Sequence, residues 1–181
     1  MKNLIYLLII SFLLTSCSRT SKIESDHDNH DKTMTYKLDG WSSQKTPTGV
    51  GLSCTACENQ VMISIDIVPI DKNNQYTKSN TDFINYLMLN KDDFAKKMAS
   101  DAAVGGKIKL IKADKAKINN KEVFRYMFTS DDDLNNSFDN TSLFLHNDKL
   151  IKITLNYYDG YFSEKDRNAV DHFYNSIKFN P

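Results

Sequence analysis

Residues 141–158 read TSLFLHNDKLIKITLNYY. Two β-prone runs, Thr141–His146 and Lys149–Tyr158, flank the pair Asn147-Asp148. Asn and Asp tolerate the positive φ of a tight two-residue turn, so this stretch predicts a β-hairpin and hence an antiparallel sheet. Upstream, Glu122–Thr129 places Val123, Arg125, Met127 and Thr129 opposite Phe124, Tyr126 and Phe128. Lys107–Ile118 alternates lysines with apolar residues and is closed by Asn119-Asn120. Further back, Gln60–Pro69 sets Val61, Ile63, Ile65 and Ile67 on one face, the period of a half-buried strand. Val50–Ser53 and Met34–Leu38 predict shorter strands, with turns at Asp39-Gly40 and Thr46–Gly49.

Helical periodicity occurs twice. After a polar loop over 71–79, Asn80 or Thr81 is the expected N-cap, and Phe83, Leu87, Phe94 and Met98 fall at helical spacing. Asn90–Asp93 interrupts that pattern and could cap a second helical piece, and Gly105-Gly106 stops it. Near the end, Ser163-Glu164-Lys165-Asp166 has the form of a capping box with Asp in the Glu position. Val170, Phe173 or Tyr174, and Ile177 then share a face, and Ser176–Phe179 closes as a last strand. Segregated strands and helices predict an α+β domain, an antiparallel sheet with helices packed on it.

The whole chain has 181 residues, 40% hydrophobic and 25% charged, with Lys+Arg and Asp+Glu both at 23. That composition excludes collagen-like, mostly disordered and polytopic membrane chains. Balanced charge argues against nucleic acid as partner, because phosphate neutralisation needs surplus Lys and Arg.

The N-terminus carries an address. Lys2 precedes the apolar run Leu4–Leu14, which is too short for a hydrocarbon core needing about 20 residues but suits a secretory signal. Leu14-Thr15-Ser16-Cys17 resembles the lipobox of bacterial lipoproteins. That resemblance implies cleavage after residue 16 and lipidation of Cys17, three acyl chains holding the protein to a membrane. Ser18 differs from the Asp of an inner-membrane retention signal, which favours the outer membrane. Residues 18–33, SRTSKIESDHDNHDKT, offer one apolar side chain and read as a disordered tether. The expected organisation is signal peptide 1–16, lipidated Cys17 and tether 17–33, and one domain over 34–181.

Two stretches of the domain resemble a known family. Tyr36-Lys37-Leu38-Asp39-Gly40-Trp41 looks like the Gly-Trp opening of PsbP/Mog1-like domains, with Asp39 where those have Pro. His172–Phe179 is similar to their final helix running into Ser-apolar-x-Phe. The resemblance implies an α/β/α sandwich on an antiparallel sheet and a mostly non-enzymatic role.

With Cys17 lipidated, Cys54 and Cys57 remain. Outside the cytosol this pair reads first as a disulfide staple closing a short loop. A thiol–disulfide exchange role would need a depressed thiol pKa, and a strand-like stretch and Glu58 follow the motif rather than a helix N-terminus. Zinc held by Cys54, Cys57, His27 and His30 is a third reading, against which His27 and His30 lie in the tether. Asp131–Asn136 begins like a calcium loop but has Asn136 for the required Gly and Ser142 for the bidentate Glu, so a solvated turn is expected. Tyr157, Tyr158, Tyr161 and Phe162 form the densest aromatic cluster, either a binding anchor or helix-to-sheet packing. His146 and His172 show no sequence partner, no catalytic set assembles, and no metal or cofactor is expected.

The sequence therefore predicts a membrane-anchored envelope lipoprotein with a non-enzymatic binding or structural domain and a protein partner. The alternatives are a redox or metal lipoprotein using the Cys pair, and an immunity lipoprotein against a delivered toxin.

Overall fold

The computed structural model describes residues 28–30, 33–70, 75–102, 107–131, 136–158 and 161–181. Its strands are β1 (Asp28–His30), β2 (Met34–Tyr36), β3 (Trp41–Lys45), β4 (Gly49–Cys54), β5 (Val61–Pro69), β6 (Lys107–Ile118), β7 (Lys121–Asp131), β8 (Asn136–His146), β9 (Lys149–Tyr158) and β10 (Lys178–Phe179). The helices are α1 (Asn80–Leu89), α2 (Lys91–Ala102) and α3 (Glu164–Ser176), with a 3-10 turn at Gln75–Thr77. Seven strands form one antiparallel sheet in the order β3-β4-β5-β9-β8-β7-β6, and β1-β2-β10 form a second, small one.

The hairpin read first from the sequence lies at the middle of the large sheet. Asn147 and Asp148 have φ of 49° and 58°, and His146 faces Lys149 across the turn. Asn119 turns β6 into β7 with φ 53°. β6 is an edge strand with an irregularity between Leu110 and Lys112, and its alternating lysines blunt that edge against pairing with another chain.

Strand periodicity sorts the side chains to two faces, each with its own core. On one face, Val50, Leu52, Val61, Ile63, Ile65, Ile151 and Ile153 meet Val170 and Phe173 of α3 and Met34 and Tyr36 of β2. The fully buried Phe173 ring lies 5.4 Å from both Tyr36 and Trp41. On the other face, Ala113, Phe124, Tyr126, Phe128 and Leu143 meet Ile84 and Leu87 of α1 and Ala95 and Ala99 of α2. The layers are thus helix, sheet, helix, the PsbP/Mog1-like arrangement. Each helical layer covers only part of its face.

Several expectations need correction. Ahead of Met34, the short segment Asp28–His30 pairs with β2. Trp41–Lys45 is a strand where only a turn into Trp41 was expected, paired by its backbone to β4. The N-cap of α1 is Ser79, whose hydroxyl accepts from Asp82 N, while Phe83, at the expected helical spacing from Leu87, packs half-buried beside the fully buried Ile84. β8 begins at Asn136, five residues ahead of Thr141, and Asn136 pairs with Asp131. The Gly105-Gly106 stop, Asp132–Asn135, the lipobox and His27 lie outside the described residues.

Candidate functional site

The Cys54–Cys57 segment and the start of α3 define one end of the site. Cys54 and Cys57 are joined as a disulfide, their Cα atoms 5.5 Å apart, and both pack partly buried against the core. Gly40, with φ of 77°, turns its carbonyl oxygen to accept from the N–H groups of Thr55 and Ala56 at 2.8 and 3.1 Å. A side chain at Gly40 would also collide with Ala56 Cβ. The two residues after the disulfide are held from the other side. Asp166, fully buried, accepts from Glu58 N at 2.7 Å and from Asn59 Nδ2 at 2.7 Å. It also accepts from Ser163 N at 3.0 Å, while Ser163 Oγ accepts from Asp166 N, which completes the expected capping box. Burial pushes the Asp166 carboxyl up, but the bonds from Asn59, Ser163 and Glu58 outweigh it and bring its pKa down to about 2.

So fixed, α3 forms one wall of a groove of about 390 Å³ over the part of the sheet it leaves open. Met127, Phe138, Leu155 and Tyr157 make an apolar floor, and Arg167, Val170 and Tyr174 line the helix side. Tyr157 stacks on Phe162 at 4.2 Å between centroids and on Phe138 at 4.7 Å. The Arg167 guanidinium sits 5.9 Å from the Phe162 ring centre. On the floor, Arg125 grips Asp114 through Nε and Nη2, both at 3.1 Å, and Lys112 Nζ reaches the same carboxylate at 2.7 Å. Burial raises the Asp114 pKa, but these two donors and their charges leave it lowered. Asn140 Oδ1 is buried here with no hydrogen-bond partner. Burial also raises the Tyr174 phenol.

The predicted aromatic cluster is therefore split. Tyr157 and Phe162 belong to the groove, whereas Tyr158 faces the opposite side of the sheet and Tyr161 is 68% exposed. Phe138, Arg125, Asp114 and Asn140 were not singled out from sequence. Alternation in β7 put Arg125 and Met127 on one face, but nothing local marked residues 136–140 as strand, so Phe138 was not placed beside them.

The remaining candidates stand apart from the groove. His146 Nε2 donates to Asn180 O at 2.7 Å and its Nδ1 lies 3.2 Å from Lys121 Nζ, so it ties down the C-terminus. Burial, and then the Lys121 charge, depress its pKa, against the opposing effect of the Asn180 bond. His172 pairs at 3.7 Å with Asp39 at the surface. Among the described residues, no group of three His, Cys, Asp or Glu could hold a metal ion, and no helix is long and apolar enough to cross a membrane.

Comparison with solved structures agrees with this architecture. The cyanobacterial PsbP protein CyanoP of Synechocystis is 15% identical, over 92% of this chain and 99% of that one, with a TM-score of 0.59. The Ran-binding protein Mog1p of Saccharomyces cerevisiae is 8% identical, over 86% and 96%, with a TM-score of 0.50. LpqN of Mycobacterium tuberculosis, involved in cell envelope biogenesis, is 10% identical over 82% and 85%, with a TM-score of 0.48. No protein-family model and no curated protein sequence matches the chain. The fold is PsbP/Mog1-like, as the sequence resemblance implied.

Proposed function

We infer that this protein is a lipid-anchored envelope protein whose sheet domain binds a partner protein and performs no catalysis of its own. The anchor rests on Leu14-Thr15-Ser16-Cys17 directly after the apolar run Leu4–Leu14, and Ser18 favours the outer membrane. The observation that carries the binding role is the groove beside α3. Its volume lies in the range of ligand clefts, and it offers stacked aromatic rings with Arg125 on the floor and Arg167 on the helix wall. Tyr, Phe and Arg are the side chains that anchor protein interfaces, and α3, fixed at its start by Asp166 and beyond its end by the Asn119 Nδ2 bond to Ile177 O, keeps the groove preformed. Precedent for the fold comes from Mog1p, a Ran-binding protein. Cys54 and Cys57 act in this reading as a staple, since their loop is fastened to Gly40 and Asp166 and leads into a strand.

The test is site-specific photocross-linking in the producing cell. A photoreactive residue at Arg167 should yield one discrete adduct in the envelope fraction, and one at Lys165, on the exposed outer side of α3, should not. Equal adduct patterns from both positions, or none from Arg167, would contradict the reading.

A further inference from the structure

On the opposite face of the sheet, α1 and α2 leave β3, β4, β5 and β9 uncovered. The register lays out a grid there. Ser42, Ser53, Met62, Asn156 and Asp139 lie in one cross-strand row, and Gln44, Gly51, Ser64, Thr154 and Thr141 in the next. All but Thr141 line a shallow cleft of about 540 Å³. From this grid we propose that the cleft binds a neutral oligosaccharide, its hydroxyl groups pairing with the short hydroxyl and amide side chains of the sheet.

Three features separate this from a merely solvated face. The first is Asp139, which accepts from Asn156 Nδ2 at 3.1 Å and stands on the seam between the covered and the open part of the sheet. Burial raises its pKa against the bonds from Asn156 and Ser137 and the nearby Lys152. The second is Gly51, in the middle of β4. A Cβ there would meet only Gln44 O and Thr46 Cγ2, both at 3.9 Å, so packing does not demand glycine. A glycine inside a strand weakens it, and often marks close approach by a ligand. The third is preorganisation, because Thr141 and Thr154 are already hydrogen-bonded at 3.1 Å beside the Asp139–Asn156 pair.

The lining also selects the class of ligand. Among the described residues no Lys or Arg lines the cleft, which disfavours a polyanion. Met62, 39% exposed, is the one large exposed apolar side chain there, and among the described residues no aromatic ring lines the cleft, whereas the centres of protein interfaces are enriched in aromatics. Hydroxyl groups both donate and accept, as Ser, Thr, Asn and Gln do, and the two oxygens of a carboxylate can accept from neighbouring sugar hydroxyls. Binding rather than hydrolysis follows from the carboxylates. Asp66, the next on this face, is roughly 16 Å from Asp139 by strand spacing and register, well beyond a working hydrolytic pair.

The proposal is independent of the groove and of the anchor. It is tested on the full chain in detergent micelles by titrating chitohexaose and, separately, maltohexaose, followed by amide NMR shifts. Saturable shifts at Ser53, Ser64 and Asn156 with either sugar below ~10 mM support it. Gly51→Leu, which adds bulk to open space, should then weaken binding by more than about tenfold with a melting temperature no lower than that of the unaltered chain. No shift with either sugar, shifts confined to other residues, or undiminished affinity in a folded Gly51→Leu protein would overturn it. Should Gly51→Leu fail to fold, the location of the shifts in the unaltered chain decides alone.

Discussion

The two helical layers hold the same sheet in different ways. α3 is fastened at both ends: Asp166 and Ser163 fix its start, and Asn119 Nδ2 donates to Ile177 O at 2.7 Å just beyond its last turn. Between them it plants Phe173 among Tyr36 and Trp41. α1 and α2 instead bury Ile84, Leu87, Ala95 and Ala99, set Phe94 edge-on to Phe124 at 5.7 Å, and are tied to the sheet by Asn80, which bridges Glu122 O and Leu145 N, and by Lys91 Nζ, which donates to Ala113 O. A helix pinned at both ends gives its flank a fixed position, so the sheet beside it becomes a walled groove. Beyond α1 and α2 the described residues leave part of the sheet uncovered, and that surface carries hydroxyl and amide side chains. The two faces therefore present different side-chain chemistry.

Large-to-small substitution in the two cores is the strongest way to break this comparison. Phe173→Ala should lower unfolding free energy by about 4 kcal/mol, and Leu87→Ala by about 2–3 kcal/mol, in urea titrations. Equal losses would mean that the α3 layer is not the better anchored. Next comes Asp166→Asn, expected to cost about 2 kcal/mol through the buried acceptor that four donors share. Because the folded pKa of Asp166 lies at about 2, below its ordinary value of 3.8, the unfolded chain takes up its proton first on acidification. Its stabilisation is complete above that ordinary value and fades as pH falls from about 4 towards 2, so the variant should show a flatter acid limb in the same titrations. An unchanged limb would show that the carboxylate is not what pins α3. The smallest effect is expected from Cys54→Ser with Cys57→Ser, about 2 kcal/mol or less by the closure entropy of so short a loop. The Gly40 and Asp166 bonds remain to hold that loop, so partner cross-linking from Arg167 should survive. Its loss would tie the groove to the disulfide itself.

Much of this architecture is legible in the residues because alternation leaves little choice. Lys107–Ile118 and Lys149–Tyr158 coincide with β6 and β9, and Ser163 caps α3 as its spacing with Asp166 predicts. What escaped is held by pairing across the chain rather than by local pattern. Ser42–Lys45 has no apolar alternation, and becomes strand through its bonds to β4. Ser137–Asn140 lies in a run of Asp and Asn that reads as loop, yet it is clamped between β7 and β9. The site followed the same division. Tyr157 and Tyr158 read from sequence as one cluster, yet adjacent strand residues point to opposite faces and the sheet parts them. Their neighbours Phe138 and Asn156 depend on register, which no local pattern reveals.

Membrane attachment through the first cysteine is the claim on which location, thiol pairing and partner all rest. Metabolic labelling with radioactive palmitate, read on the unaltered protein and on Cys17→Ser, tests it most directly. The account predicts label and membrane sedimentation in the first and neither in the second. An unlabelled parent protein, or a Cys17→Ser protein that still sediments with membranes, would contradict it.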